Sequence, residues 1–127
     1  ILHQRKDLQY TITNFVEGMC NFIHTSLIPT FLDLWKIHDF KSGYGLDVIT
    51  TRALKQLAMV VHSASVFHPP ASFKGYSPSY YNVNEANQEM SHIFNFVYPT
   101  FMMQKYGEYV TPIYGIDYQI YSEVKRI

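Results

Sequence analysis

A single cysteine among 127 residues excludes an internal disulfide framework and a cysteine-rich zinc site. That scarcity fits intracellular residence. Surplus charge is also missing: ten basic and ten acidic side chains cancel. Nucleic-acid binders ordinarily carry a basic excess or stripe, so no nucleic-acid partner is expected. No run of about 20 apolar residues is present, which is what a membrane-crossing helix needs. The longest charge-free run, Gln56 to Phe73, is broken by His62, Ser63, Ser65, His68 and the Pro69-Pro70 pair. A transmembrane segment is therefore not expected, although peripheral contact with a membrane surface stays open. No Lys/Arg-led leader opens the chain. Nucleophile elbow, phosphate loop and zinc-protease helix are all lacking, and no cofactor motif is present.

Aromatic residues are plentiful, at 17%. Nine of the eleven tyrosines fall between Tyr76 and Tyr121. Tyrosine supplies large, rigid area with a polar tip, as protein interfaces use and as a small core with wet edges also uses.

Two short motifs recur at one shared offset, the one that carries residue 1 onto residue 71. Pro29-Thr30-Phe31 returns as Pro99-Thr100-Phe101, and Tyr44-Gly45-Leu46-Asp47 returns as Tyr114-Gly115-Ile116-Asp117. Laying residues 1–57 on 71–127 makes ten identical pairs, clustered where proline and glycine set backbone geometry. Self-similarity at a fixed period points to a repeated supersecondary unit; the alternative is coincidence in an aromatic-rich chain.

Helical spacing fills the unit. Leu8, Ile12, Phe15, Met19, Phe22, Ile23 and Leu27 recur at steps of three and four, predicting one amphipathic helix before Pro29. A short helix follows, carrying Phe31, Leu34 and Trp35. Gly45 is placed to adopt a left-handed turn, and Asp47 to cap a third helix running from about Val48 toward Phe67. Residues 69 to 81 read as a linker. Asn82 with Glu85 resembles a capping box opening the second copy. The last segment, Tyr118 to Ile127, fits a strand at period two and a helix at period 3.6; the repeat favours helix.

The expected fold is all-α, a tandem duplication of a three-helix unit at that offset, with helices kinked or ended at Pro29 and Pro99. Residues 1–127 would form one helical domain with repeats 1–70 and 71–127, the second truncated, packed about a pseudo-twofold axis.

Chemistry is thin. Glu89-Met90-Ser91-His92 is a Glu-x-x-His step, which puts both groups on one helical face; paired-metal bundles use that step twice with further carboxylates, and here it occurs once. His24 lies one turn from Cys20 but lacks further ligands, so no metal site is expected. Cys20 has no neighbouring cation to activate it. Function is therefore expected to be non-catalytic: a structural or protein-interaction subunit of a homo-oligomer or larger assembly, meeting a protein partner or itself. The alternative is a small-molecule-binding or enzymatic helical domain, its aromatic-lined pocket lying between the two repeats. Candidate binding residues are Tyr98, Tyr106, Tyr109, His24 and His92.

Overall fold

A computed structural model describes residues 5–16, 21–65, 82–115 and 118–127. The all-α expectation is overturned: the chain is mixed α/β, with three helices beside a three-stranded antiparallel sheet among the described residues. It is not a helical bundle. Leu8–Thr13, expected to open a long helix, is strand β1. The helix expected from Val48 toward Phe67 ends early, and Ala58–Val61 is strand β2. Ile120–Lys125, for which the repeat favoured helix, is strand β3. The reason lies in residue type. Tyr10-Thr11-Ile12-Thr13 and Val60-Val61 are β-branched or aromatic, and such side chains lose rotamer freedom in a helix but pack well on a pleated surface.

β1 is central, and the order is β2-β1-β3. Tyr10 faces Val61 on one side and Val124 on the other; Ile12 faces Met59 and Ser122. Thr11 and Thr13 are buried on the other face with both hydroxyls engaged. Thr11 Oγ1 lies 2.8 Å from His62 Nε2, and Thr13 donates to the carbonyl of Gln119. His62 Nδ1 accepts from the Arg5 N–H at 3.1 Å, which leaves Nε2 as the protonated nitrogen facing Thr11.

α1 spans Ile28–Ile37 and follows a short 3₁₀ turn at Thr25–Leu27. Pro29, expected to end a helix, sits in the first turn of one, where its missing N–H would be unpaired in any case. α2 spans Leu46–Ala53. Its cap is Gly45, not Asp47. Asp47 lies inside the first turn, with its carboxylate accepting from the Val48 N–H at 2.8 Å. The Asp47→Ala substitution is therefore expected to cost about 0.5 kcal/mol through the helix dipole, less than the ~1 kcal/mol of a lost cap. Urea unfolding of the two proteins checks this.

α3 spans Val83–His92, opened by Asn82, whose side chain accepts from the Asn84 N–H. A π-helical turn, Ile93–Val97, joins it directly to α4, Tyr98–Tyr106, so that α3 and α4 run as one long third helix. Pro99 was expected to kink or end this helix, and the π turn carries the run through it. The Tyr98 N–H bonds five residues back to Ile93 O, skipping Phe94 O, which Pro99 has no N–H to satisfy. Phe94 O instead accepts from the Ile113 N–H at 3.3 Å, and that bond draws the segment after α4 back against the helix.

The tandem three-helix unit falls with the all-α expectation. Pro29-Thr30-Phe31 lies in the first turn of α1, whereas Pro99-Thr100-Phe101 lies inside the long third helix, just after its π turn. The second half of α2, however, falls at the same offset on β3. Ile116 and Asp117, completing the second Tyr-Gly-Ile-Asp, lie outside the described residues, as do Cys20, His68 and the expected linker at 69–81.

One hydrophobic core is built by the helices: Leu34 from α1, Val48, Ile49 and Ala53 from α2, and Ile93, Phe94, Val97, Phe101 and Met102 from the long third helix. Phe15, just past β1, packs against this core, and the Thr51 hydroxyl donates to Asn14 O; these join sheet to helices. Among the described residues, no helix is long and apolar enough to cross a membrane.

Candidate functional site

Among the described residues, a polar cluster lies between α3 and the chain after α1. Glu89 projects from α3 toward the turn His38 to Ser42, a distant part of the sequence. That turn has no ladder of its own, so its N–H groups need an acceptor. Oε1 of Glu89 accepts from the Lys41 N–H at 2.8 Å and lies 3.1 Å from His38 Nε2. Oε2 accepts from the Ser42 N–H at 2.8 Å and from the Ser42 hydroxyl. The carboxylate is only 11% exposed. Burial is the largest single influence on its acidity and pushes the group up. The Ser42 hydroxyl, the two N–H groups and His38 together outweigh it and hold the carboxyl at about 2, against an ordinary 4.5.

This order of groups settles what the cluster can do chemically. In a nucleophilic triad the imidazole stands between hydroxyl and carboxylate and takes the hydroxyl proton. Here the carboxylate stands between them, and both Ser42 and His38 address it rather than each other. A carboxylate this acidic is a poor proton acceptor near neutrality. The geometry is that of a clasp fastening the turn to α3.

Rings continue from the clasp in a row that runs from the half-buried Phe31 through the buried Phe40 to the exposed Phe96. Phe31, Trp35, Phe40, His38, His92 and Phe96 follow one another with centroids 5.0 to 5.9 Å apart. His92 of the Glu-x-x-His step thus stacks between His38 and Phe96, while Glu89 faces the turn. Among the described residues, no group of three His, Cys, Asp or Glu is disposed to hold a metal ion.

The other candidate residues are scattered. Tyr98 is buried in the core, and its phenol is pushed up by that burial. Tyr106 donates its hydroxyl to Ala53 O at 3.0 Å, with Lys55 Nζ 4.3 Å over its ring, so it fastens α4 to the end of α2. Tyr109 is 87% exposed and lines an open cleft with Pro99, Thr100, Met103, Gln104 and Val110. His24 is exposed and caps the 3₁₀ turn, accepting from the Ser26 N–H. The structure brings none of Tyr98, Tyr109 and His24 together with His92. Residues that the sequence reading missed are His38 and Ser42, the partners of Glu89. A Ser-Gly turn short of backbone acceptors is the one local hint they left.

The cleft at Tyr109 and a second beside it, lined by Asp33, Lys36, Phe101 and Lys105, lie open along α4. In the second, Asp33 is already claimed by Lys105 at 2.6 Å and by Lys36 at 2.8 Å.

The sheet is the other feature left open. Met59 is 56% and Val61 42% exposed on β2, and every residue of β3 except Val124 is exposed, including Ile120 and Tyr121. Compared with models of known protein families, with characterised proteins and with solved structures, the chain matches none.

Proposed function

We propose that the protein is a non-catalytic structural subunit that assembles with copies of itself through its sheet. One observation carries this reading: Met59 and Val61, on the sheet face of Tyr10 and Ile12, and Ile120 and Tyr121, on the edge strand β3, are all exposed, while the helices hold a separate core. An apolar sheet face left in water is stabilised by burial against a partner surface. A second copy suits the surface because the chain has no net charge to oppose its own approach. The polar cluster supports the same reading, since the acceptors of Glu89 are consumed within the fold.

Sedimentation velocity over a wide concentration range tests it. The 14.9 kDa chain is expected to sediment as a concentration-dependent oligomer. A monomer at every concentration would remove the proposal.

A further inference from the structure

We infer that two copies join edge to edge along β3, antiparallel, about a two-fold axis centred on Val124. This deepens the self-assembly reading above and rests on it. Because β1 is central, β2 and β3 each present an outer edge unpaired among the described residues. An exposed strand edge is a template for pairing, and an identical strand meets it isologously.

Backbone direction and charge together select the register. The Arg126 N–H points inward, donating to Asp7 O at 3.0 Å. Alternation along the strand then turns the N–H and C=O of Lys125 and Glu123 outward, away from β1. In an antiparallel pair centred on Val124, Glu123 lies opposite Lys125 of the second copy, and Lys125 opposite its Glu123. The outward-facing backbone groups of these residues are then the ones that exchange hydrogen bonds. Val124 meets Val124, and exposed Tyr121 meets exposed Ile127.

The neighbouring two-fold registers lack this match. Centring on Glu123 sets the two carboxylates against each other. Centring on Ser122 leaves Glu123 facing Tyr121 and Lys125 facing Gln119, with no ion pair. Arg5 reaches Glu123 at 3.4 Å but is bound mainly to Asp7, at 2.7 Å, so Glu123 keeps acceptor capacity for an incoming lysine. Since Val124 and Val61 both flank Tyr10 on one face, a Val124–Val124 contact would also merge the two open apolar faces across one continuous sheet.

The register is tested by cross-linking and by charge. Val124 pairs at a position where antiparallel Cα atoms approach to about 4.5 Å, within disulfide reach. With the only native thiol removed by Cys20→Ser, Val124→Cys is expected to give a covalent dimer under mild oxidation, while Val61→Cys on β2 stays unlinked. Glu123→Lys alone should weaken association about tenfold at low salt, and Glu123→Lys with Lys125→Glu should restore it to within about threefold. Association that persists in sedimentation without the Val124 cross-link, or without rescue by the double reversal, overturns this register and leaves self-assembly standing. A strict monomer overturns both.

Discussion

Replacing Glu89 by alanine is expected to lower the unfolding free energy by about 3–5 kcal/mol and the melting temperature by roughly 15 °C. The carboxylate is nearly buried and accepts from Lys41 N–H, Ser42 N–H and the Ser42 hydroxyl, with His38 alongside. Truncation removes the acceptor of all of them. The Lys41 N–H is exposed and can turn to water, whereas the Ser42 N–H and hydroxyl are part-buried, and an unsatisfied buried donor costs about 1–3 kcal/mol. Glu89→Gln should lose less, because one amide oxygen still accepts while the amide nitrogen opposes the remaining N–H groups.

The same residue sets a pH dependence. Its carboxyl titrates near 4.5 when unfolded and at about 2 when folded, so between those values the unfolded chain binds more protons. Stability from Glu89 is therefore complete above about pH 5, shrinks as the pH falls, and is gone near pH 2; the shift corresponds to roughly 3 kcal/mol. Asp7, held down by Arg5, and Asp33, held down by Lys105 and Lys36, also sit at about 2 and add their own acid dependence at the surface. The useful measurement is thus the difference between the wild type and Glu89→Gln in urea unfolding at successive pH values. A difference that does not shrink between pH 5 and pH 2 would contradict the clasp.

What the sequence revealed divides along the line between local and distant partners. Asn82 caps α3 because its carboxamide reaches two residues on, and Gly45 turns left-handed because only its own backbone decides that. Both were legible. β1 was not. Leu8, Ile12 and Phe15 satisfy helical spacing, and the strand's real partners, Met59 and Ser122 beside Ile12, come from the middle and the far end of the chain. For β3 the period-two pattern was visible, but the repeat offset set it beneath a segment expected to be helical. A proline shows the same ambiguity: Pro29 stops a helix or starts one according to which side folds, and Pro99 is accommodated because Ile113 takes over the carbonyl it strands. Glu89 drew notice for its step to His92, whereas its partners His38 and Ser42 belong to a turn that only tertiary packing delivers.

Gly45→Ala should be the most damaging of the small substitutions, at about 2–4 kcal/mol. Gly45 is buried with φ +84°, and a side chain there carries about 1–2 kcal/mol of left-handed strain. Its added Cβ would also stand 2.8 Å from Met90 Cγ and 2.9 Å from Phe94 Cε1. Met90 can swing away. Phe94 is held in the core by the π turn, so overpacking adds about 1–3 kcal/mol. Gly43 is the internal control: its φ is +70°, yet a Cβ there meets nothing within 4 Å, so Gly43→Ala should show the conformational part alone. Equal losses at the two positions, at unchanged m-value, would mean that α3 does not press on Gly45. The position also bears on the clasp, because Ser42 and Gly45 belong to one turn held against one helix face, by Glu89 at one end and by bare backbone contact at the other. Forcing the turn off Phe94 must stretch the bonds to Glu89, so Gly45→Ala and Glu89→Gln together should cost less than their sum.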